Sequence, residues 1–316
     1  MKAQQPFFSI ITPTFNRVRF LPEMLASVKA QRFEEFEHIV VDDGSSDGTE
    51  ELMAPFVAAD PRLHYIKQEN KGRSAARNVG IAAAKGRYIC FLDSDDLWSP
   101  KHLETIYQRL KDETEAKFYH TGLIWFYEDG APEQLVNYAD RNQFASDVEY
   151  VVANQFAPDC VCIHRSILEE HRFDPQLFIN EDIELWARIA SQYPVVAVDG
   201  RTAKLRVHDG NTDKEHADSV TPRMQAFEQL MKNPKVRQQL SKAFILKRKK
   251  SLHELLVRQH ERNGQRWPLV KELLLFLVRY PSSPRNSAKL VTLVYNLPGG
   301  PLLKRLMAKA NTPSDN

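Results

Sequence analysis

The feature that most constrains this chain is an alternation confined to its first hundred residues. Four short apolar runs, residues 7–12, 38–41, 63–66 and 88–92, are separated by segments whose apolar residues recur at helical spacing. Leu21, Leu25 and Val28 mark the first such segment. Asp47 followed by Glu50 reads as a capping box opening the second. Residues 73–84 form an Ala-rich third, with Gly86 as its expected C-terminal stop. Strands separated by helices cannot pair as hairpins. They call for crossover connections and a mostly parallel sheet covered on both faces, an α/β fold. In such sheets ligands gather beyond the carboxyl ends of the strands. Asp42, Asp43, Asp93 and Asp95 all fall at such ends.

The second half is less regular. A helix is expected after Pro100, a strand over 118–126, a loop over 128–142 and a strand over 161–164. A helix over 183–189 follows, then two short strands at 195–198 and 205–207. From Pro222 onward the pattern is helical and basic. The reading is a domain over residues 1–220, with a first half to 100 and a second from 101, followed by a helical region over 221–316. Residues 231–316 carry 18 Lys and Arg against 4 Asp and Glu, whereas residues 1–230 carry 25 against 37. A basic tail on an acidic body seeks an anionic surface.

The Lys247-Arg248-Lys249-Lys250 cluster and Lys304-Arg305 flank apolar stretches such as residues 273–278. That pairing fits interfacial helices on a membrane, and equally a helical appendage with a solvated basic face. No recognition motif accompanies the charge, so nucleic acid is not expected as a partner. The first six residues have no apolar signal region and no run is long enough to span a bilayer. The expectation is a cytoplasmic protein, with the inner face of the membrane as its contact surface if the basic helices engage lipid. Cys90, Cys160 and Cys162 read as buried small residues in a reducing compartment rather than as a disulfide framework.

Asp93-Ser94-Asp95-Asp96 follows an apolar strand directly. Carboxylates this close repel unless something positive sits among them, and a hard divalent ion with oxygen ligands answers that need. The plainer alternative is a polar turn in which Asp96 or Ser99 caps the next helix. An EF-hand loop is excluded, because its sixth position would be Trp98 where glycine is required. A dinucleotide-binding turn is excluded as well, because Thr12-Pro13-Thr14-Phe15-Asn16 contains no glycine.

Four blocks in order carry a resemblance. They are Ile10-Ile11-Thr12-Pro13-Thr14-Phe15-Asn16-Arg17, Val40-Val41-Asp42-Asp43-Gly44-Ser45-Ser46-Asp47-Gly48-Thr49, Gly72-Arg73-Ser74-Ala75-Ala76-Arg77-Asn78-Val79-Gly80 and Phe91-Leu92-Asp93-Ser94-Asp95-Asp96. Together they resemble the family 2 glycosyltransferases of the GT-A fold, over roughly residues 7–215. The resemblance implies an inverting enzyme that moves a sugar from a nucleotide-sugar, a UDP-sugar by preference, to a saccharide or lipid-linked acceptor. Synthesis of cell-surface polysaccharide, glycolipid or glycoprotein is the implied setting.

It also implies residue roles. Pro13, Thr14 and Asp43 fall where the family cradles the base, and a carboxylate there selects a ring N–H donor such as uracil offers. Of Arg73 and Arg77, one is implied to contact the donor phosphate and the other to be a structural ion-pair partner, with Arg73 the preferred ligand-facing one. Asp95 matches the acid that binds Mn²⁺ or Mg²⁺, with Asp93 and Ser94 on the donor and Asp93 assisting the metal. Asn180-Glu181-Asp182 resembles the Glu-Asp motif, with Asp182 as catalytic base. Leu205-Arg206-Val207-His208 resembles a later segment in which His208 approaches the metal. Trp98 and Trp186 are candidate sugar-stacking rings. Two other functions are weighed against this one: a sugar-1-phosphate nucleotidyltransferase, which lacks its Gly-rich, Arg-containing loop here, and a non-catalytic scaffold of a polysaccharide assembly complex.

Overall fold

The computed structural model describes residues 5–112, 115, 117–208, 219–281, 283 and 286–296. Two compact units form, one from Met1–Thr212 with Gln225–Leu240, the other from Asp213–Met224 with Ser241–Asn316.

In the first unit the elements run β1 (Phe8–Thr14), α1 (Leu21–Lys29), β2 (Phe36–Asp42), α2 (Thr49–Ala59), β3 (Leu63–Lys67), α3 (Arg73–Ala83) and β4 (Tyr88–Phe91). Then follow β5 (Leu97–Trp98), α4 (His102–Leu110), β6 (Phe118–Tyr127), β7 (Gln134–Leu135), α5 (Asp147–Asn154), β8 (Val161–His164), α6 (Arg165–Glu170), α7 (Glu181–Ala190) and β9 (Val195–Val207). The expected alternation of the first hundred residues is therefore present. Every residue of β1, β2 and β4 is buried, as strands covered on both faces require.

The sheet order is β3-β2-β1-β4-β8-β6-β9-β5, with β7 added on β6. The first four strands are parallel. β8 then runs antiparallel to both β4 and β6, and β9 is parallel to β6. Two reversals cancel, so β6 and β9 point the same way as β1 to β4. Their carboxyl ends share one edge of the sheet, and residues 93–96 and His208 emerge along it. β5 pairs antiparallel with β9, Leu97 opposite Lys204 and Trp98 opposite Ala203. Extending that register sets Asp95 beside Arg206. This pairing closes the site.

Several local expectations are corrected. The two short strands at 195–198 and 205–207 are one thirteen-residue strand, β9, because Arg201 continues the pairing opposite Gly122 through irregularities on either side. Asp47 forms no capping box. The N-cap of α2 is Gly48, with φ 87°, and makes no side-chain cap. Asp47 instead accepts from the Thr49 hydroxyl at 2.6 Å and from the Val18 N–H at 2.9 Å. Gly86 is no left-handed stop; the C-cap of α3 is Ala84. A Cβ on Gly86 would lie 2.5 Å from the Ser9 nitrogen, so its role is to let the chain pass close to β1. Neither Asp96 nor Ser99 caps α4 with its side chain, since Lys101 holds the N-cap position. Within 128–142, β7 adds two residues of pairing to the expected loop. All three cysteines are free and buried.

Five helices close the described chain: α8 (Val220–Lys232), α9 (Pro234–Gln238), α10 (Lys242–Arg262), α11 (Arg266–Arg279) and α12 (Asn286–Asn296). In the second unit Val257, Leu269, Val270, Leu273 and Leu293 form a core. His253 and Glu272 are hydrogen-bonded within it, and Arg279 donates to His253 Nε2 at 2.9 Å. Among the described residues no helix is long and apolar enough to cross a membrane. Lys304-Arg305 lies outside them.

Candidate active site

The loops after β1 and β2 are stitched together. Asn16, held at φ 51°, donates its N–H to Ser45 Oγ at 2.9 Å and accepts the Ser46 N–H on its Oδ1 at 2.9 Å. Pro13 and Thr14 form the last rungs of β1, opposite Val41 and Asp42. Thr14 Oγ1 is buried and has no hydrogen-bond partner among the described residues.

The acid pair at the end of β2 divides its labour. Asp42 is fully buried, accepts from the Ser45 N–H at 2.8 Å and is hydrogen-bonded to the Tyr65 hydroxyl. It is a turn acid. Asp43 accepts from Gln68 Nε2 at 2.6 Å, the Lys71 N–H at 2.9 Å and the Gly72 N–H at 2.7 Å. An ionised carboxylate offers about four lone-pair sites, so one remains for a further donor.

Asp95 stands at the centre of the next turn. His208, at the end of β9, donates Nε2–H to Asp95 Oδ2 at 3.0 Å, and Arg17 Nε lies 3.9 Å from the same oxygen. Burial alone would raise the carboxyl, but the His208 bond, the Arg17 charge and the backbone hold it below the usual range. Arg206, from β9, locks the turn from behind. Its N–H donates to Asp96 Oδ1 at 2.6 Å, its Nε to the Asp95 carbonyl at 2.8 Å, and its NH2 to Glu23 at 2.6 Å.

A second group of acids adjoins it. Asp159, in the turn before β8, accepts the Asp93 N–H at 2.7 Å, and the Trp98 indole donates to the Asp159 carbonyl at 2.8 Å. Asp93, Asp96 and Asp159 bring one oxygen each within 4.8 Å of one another. Asp159 Oδ2 is buried and has no hydrogen-bond partner among the described residues. Burial, and then the Asp93 charge, push the Asp159 carboxyl up to about 8. Burial and the charges of Asp159, Asp95 and Asp93 raise Asp96 well above its usual value. Oxygen donors crowded this closely, one of them orphaned, suit a hard divalent cation. The residues fit such an ion, and the Asp95–His208 pair stands outside this group of three.

Arg77 ties that edge to the opposite wall. It is 1% exposed and donates to Asp93 Oδ1 at 2.7 Å and to Glu181 Oε1 at 2.8 Å. Arg73, one turn earlier, lies 3.2 Å from the same Glu181 oxygen and donates to the Phe178 carbonyl at 2.8 Å. Asp182 follows Glu181 in the first turn of α7 and accepts the Ile183 N–H at 2.7 Å. Burial and the Glu181 charge push its carboxyl up to about 7, against the pull of Arg77.

Asp43, Arg73, Asp93, Ser94, Asp95, Asp182 and His208 are thus brought to one edge of the sheet. Trp98 and Trp186 are not available to stack on a sugar. Trp98 is buried against His102, with ring centroids 4.1 Å apart, and Trp186 is a core residue that donates to the Phe156 carbonyl at 3.1 Å. Asp159 and Arg206 were not singled out by the sequence pattern, and Glu181 entered only as the first acid of the Glu-Asp motif. Arg206 lay inside a recognisable segment. Asp159 had no local signal, since its partners are 61 and 66 positions away.

A parallel half-sheet continued through an antiparallel β8, with acids gathered at one edge, defines the GT-A class of glycosyltransferase fold. Residues 9–172 match the family model described as Glycosyl transferase family 2, and the chain belongs to that family. It is 32% identical over 204 residues to an uncharacterized glycosyltransferase of Rickettsia conorii, a match over 64% of this chain and 33% of the relative. The chain thus spans about a third of the length of that relative. The fold is similar to that of S. aureus TarS in complex with UDP-GlcNAc, with a TM-score of 0.61 at 19% identity, over 96% of this chain and 87% of that one. It is also similar to the mannosyltransferase PcManGT of Pyrobaculum calidifontis in complex with GDP-Man and Mn²⁺, with a TM-score of 0.58 at 17% identity, over 98% and 82%.

Proposed function

We propose that this protein is an inverting glycosyltransferase that moves a sugar from a nucleoside-diphosphate donor, a UDP-sugar, to a hydroxyl group of a saccharide or lipid-linked acceptor. The product would belong to a cell-surface polysaccharide, glycolipid or glycoprotein. One arrangement carries this reading: the same edge of the sheet holds Asp95, paired with His208 at 3.0 Å, and Asp182, next to the Glu181 that Arg77 bridges to Asp93. Asp95 is held below the ordinary range and Asp182 is pushed up to about 7. Acids separated in this way take different roles, one as a permanent anion and one as a proton acceptor.

Asp95, Asp93 and His208 are the residues that would hold Mn²⁺ or Mg²⁺, with Asp96 and Asp159 as further oxygen donors. When bound, such an ion neutralises negative charge on the leaving diphosphate. Pro13, Thr14 and Asp43 receive the base, the remaining lone pair of Asp43 accepting a ring N–H. Arg73, partly exposed beside Glu181, and Ser94 face the diphosphate. Asp182 takes the proton of the acceptor hydroxyl as that oxygen bonds to the anomeric carbon. The diphosphate leaves with the bonding electrons from the opposite face, and the configuration inverts in a single displacement. The presence of UDP-GlcNAc on TarS and of GDP-Man with Mn²⁺ on PcManGT supports the donor class. The basic helical unit is assigned to peripheral contact with the inner face of the membrane, where a lipid-linked acceptor would be presented.

Thermal unfolding in the presence of UDP, GDP or their sugars, with and without Mn²⁺, tests the donor assignment. UDP with Mn²⁺ is expected to raise the Tm by several degrees, as ligand excess over Kd requires. No shift with any nucleotide contradicts the reading.

A further inference from the structure

The helical unit carries an apolar face where water should dictate a charged one. In α11, Leu269, Val270, Leu273 and Phe276 are buried. On the opposite side Trp267 is 62% exposed, Leu274 48% and Val278 79%. Positions 267, 274 and 278 are seven and eleven residues apart, so they fall on one line along the helix, with exposed Lys271 among them. At about 1.5 Å per residue that stripe is roughly 16 Å long. Isolated exposed apolar residues need no explanation, but a contiguous line headed by a tryptophan marks a surface that meets something other than water.

We infer that this face of α11 is the lipid-contacting surface of the protein, lying in the headgroup layer of an anionic phospholipid membrane. The inference rests on the membrane contact proposed above and gives it an address. Charge complementarity selects the occupant. Residues 241–316 hold 15 Lys and Arg against 4 Asp and Glu, and α10 alone has seven against two. A second copy of this chain would bring the same positive charge to the face and be repelled. An anionic bilayer is attracted instead. Apolar side chains enter its boundary region, Trp267 sits at headgroup level, and Lys271 extends its ammonium back to the phosphates. Attraction of this kind weakens with salt.

The full-length protein is floated with vesicles of phosphatidylcholine alone and of phosphatidylcholine mixed with phosphatidylglycerol. The expected result is co-flotation with the mixed vesicles only, reduced at high salt. Leu274→Glu together with Val278→Glu is expected to lower the partition coefficient by at least about tenfold, with an unchanged circular dichroism spectrum. As a second measurement, brominated lipid should quench tryptophan fluorescence in the native chain and not in Trp267→Phe, which leaves the helix intact. Equal flotation of the double variant, equal binding to neutral vesicles, or quenching that survives Trp267→Phe overturns the inference. So does a dimer by light scattering that the double variant dissociates. None of these readouts depends on sugar transfer, so the membrane face and the transferase reading fail separately.

Discussion

His208 Nε2 lies 3.0 Å from Asp95 Oδ2, although 113 positions separate the two residues in the chain. The antiparallel pairing of β5 with β9 makes this contact possible. It joins the acid expected to bind the cation to the only histidine among the proposed cation ligands. Replacing His208 with Ala should weaken Mn²⁺ binding by about 10–100-fold, the usual consequence of losing a ligand or its orienting partner. Titration calorimetry of Mn²⁺ in the presence of UDP measures it. An unchanged affinity would remove His208 from the cation site.

Arg77 and Arg73 touch the same Glu181 oxygen yet should behave differently. Arg77 is buried, and its loss strands Asp93 and Glu181 without their shared counter-ion. Arg77→Ala should lower the unfolding free energy by about 3–5 kcal/mol, and Arg77→Lys should recover only part, because an ammonium cannot bridge two carboxylates as a planar fork does. The side chain of Arg73 is a third exposed, and its removal should cost about 1 kcal/mol or less while raising the KM for the donor. Denaturant titration and steady-state kinetics separate the two. The reverse pattern would exchange their roles.

Asp182 sets a pH dependence. Its carboxyl titrates near 7, and only the ionised form accepts the hydroxyl proton. Activity should therefore rise with pH through about 7 and fall tenfold per unit below it. Asp182→Asn should abolish the acid limb together with nearly all turnover. A pH-rate profile flat between 5 and 8 would exclude Asp182 as the base.

The first half of the fold was legible because its signals are local. Strand runs, helical spacing and strand-end acids all lie within a few residues of one another, and every one of the four expected strands is present. The second half was less so, for a physical reason. β9 is continuous only because it pairs with β6, some eighty positions earlier, and no short window shows that partner. The same holds at the site. Asp93, Asp95 and Asp182 stand in recognisable motifs, whereas Asp159 and the locking role of Arg206 depend on contacts between distant strands. Gly86 misled because glycine has two uses, and close approach to β1 was the one in force.

The central claim is that Asp95 and Asp182 serve one transfer reaction from a nucleotide-sugar, in different roles. Release of UDP from UDP-sugars with Mn²⁺ tests it most directly, comparing the native chain with Asp95→Asn and Asp182→Asn while recording UDP affinity for each. Both variants should lose turnover by about a hundredfold or more. Asp95→Asn alone should also lose Mn²⁺-dependent UDP binding. Undiminished turnover in either variant, or equal loss of UDP binding in both, would contradict the division of labour on which the account depends.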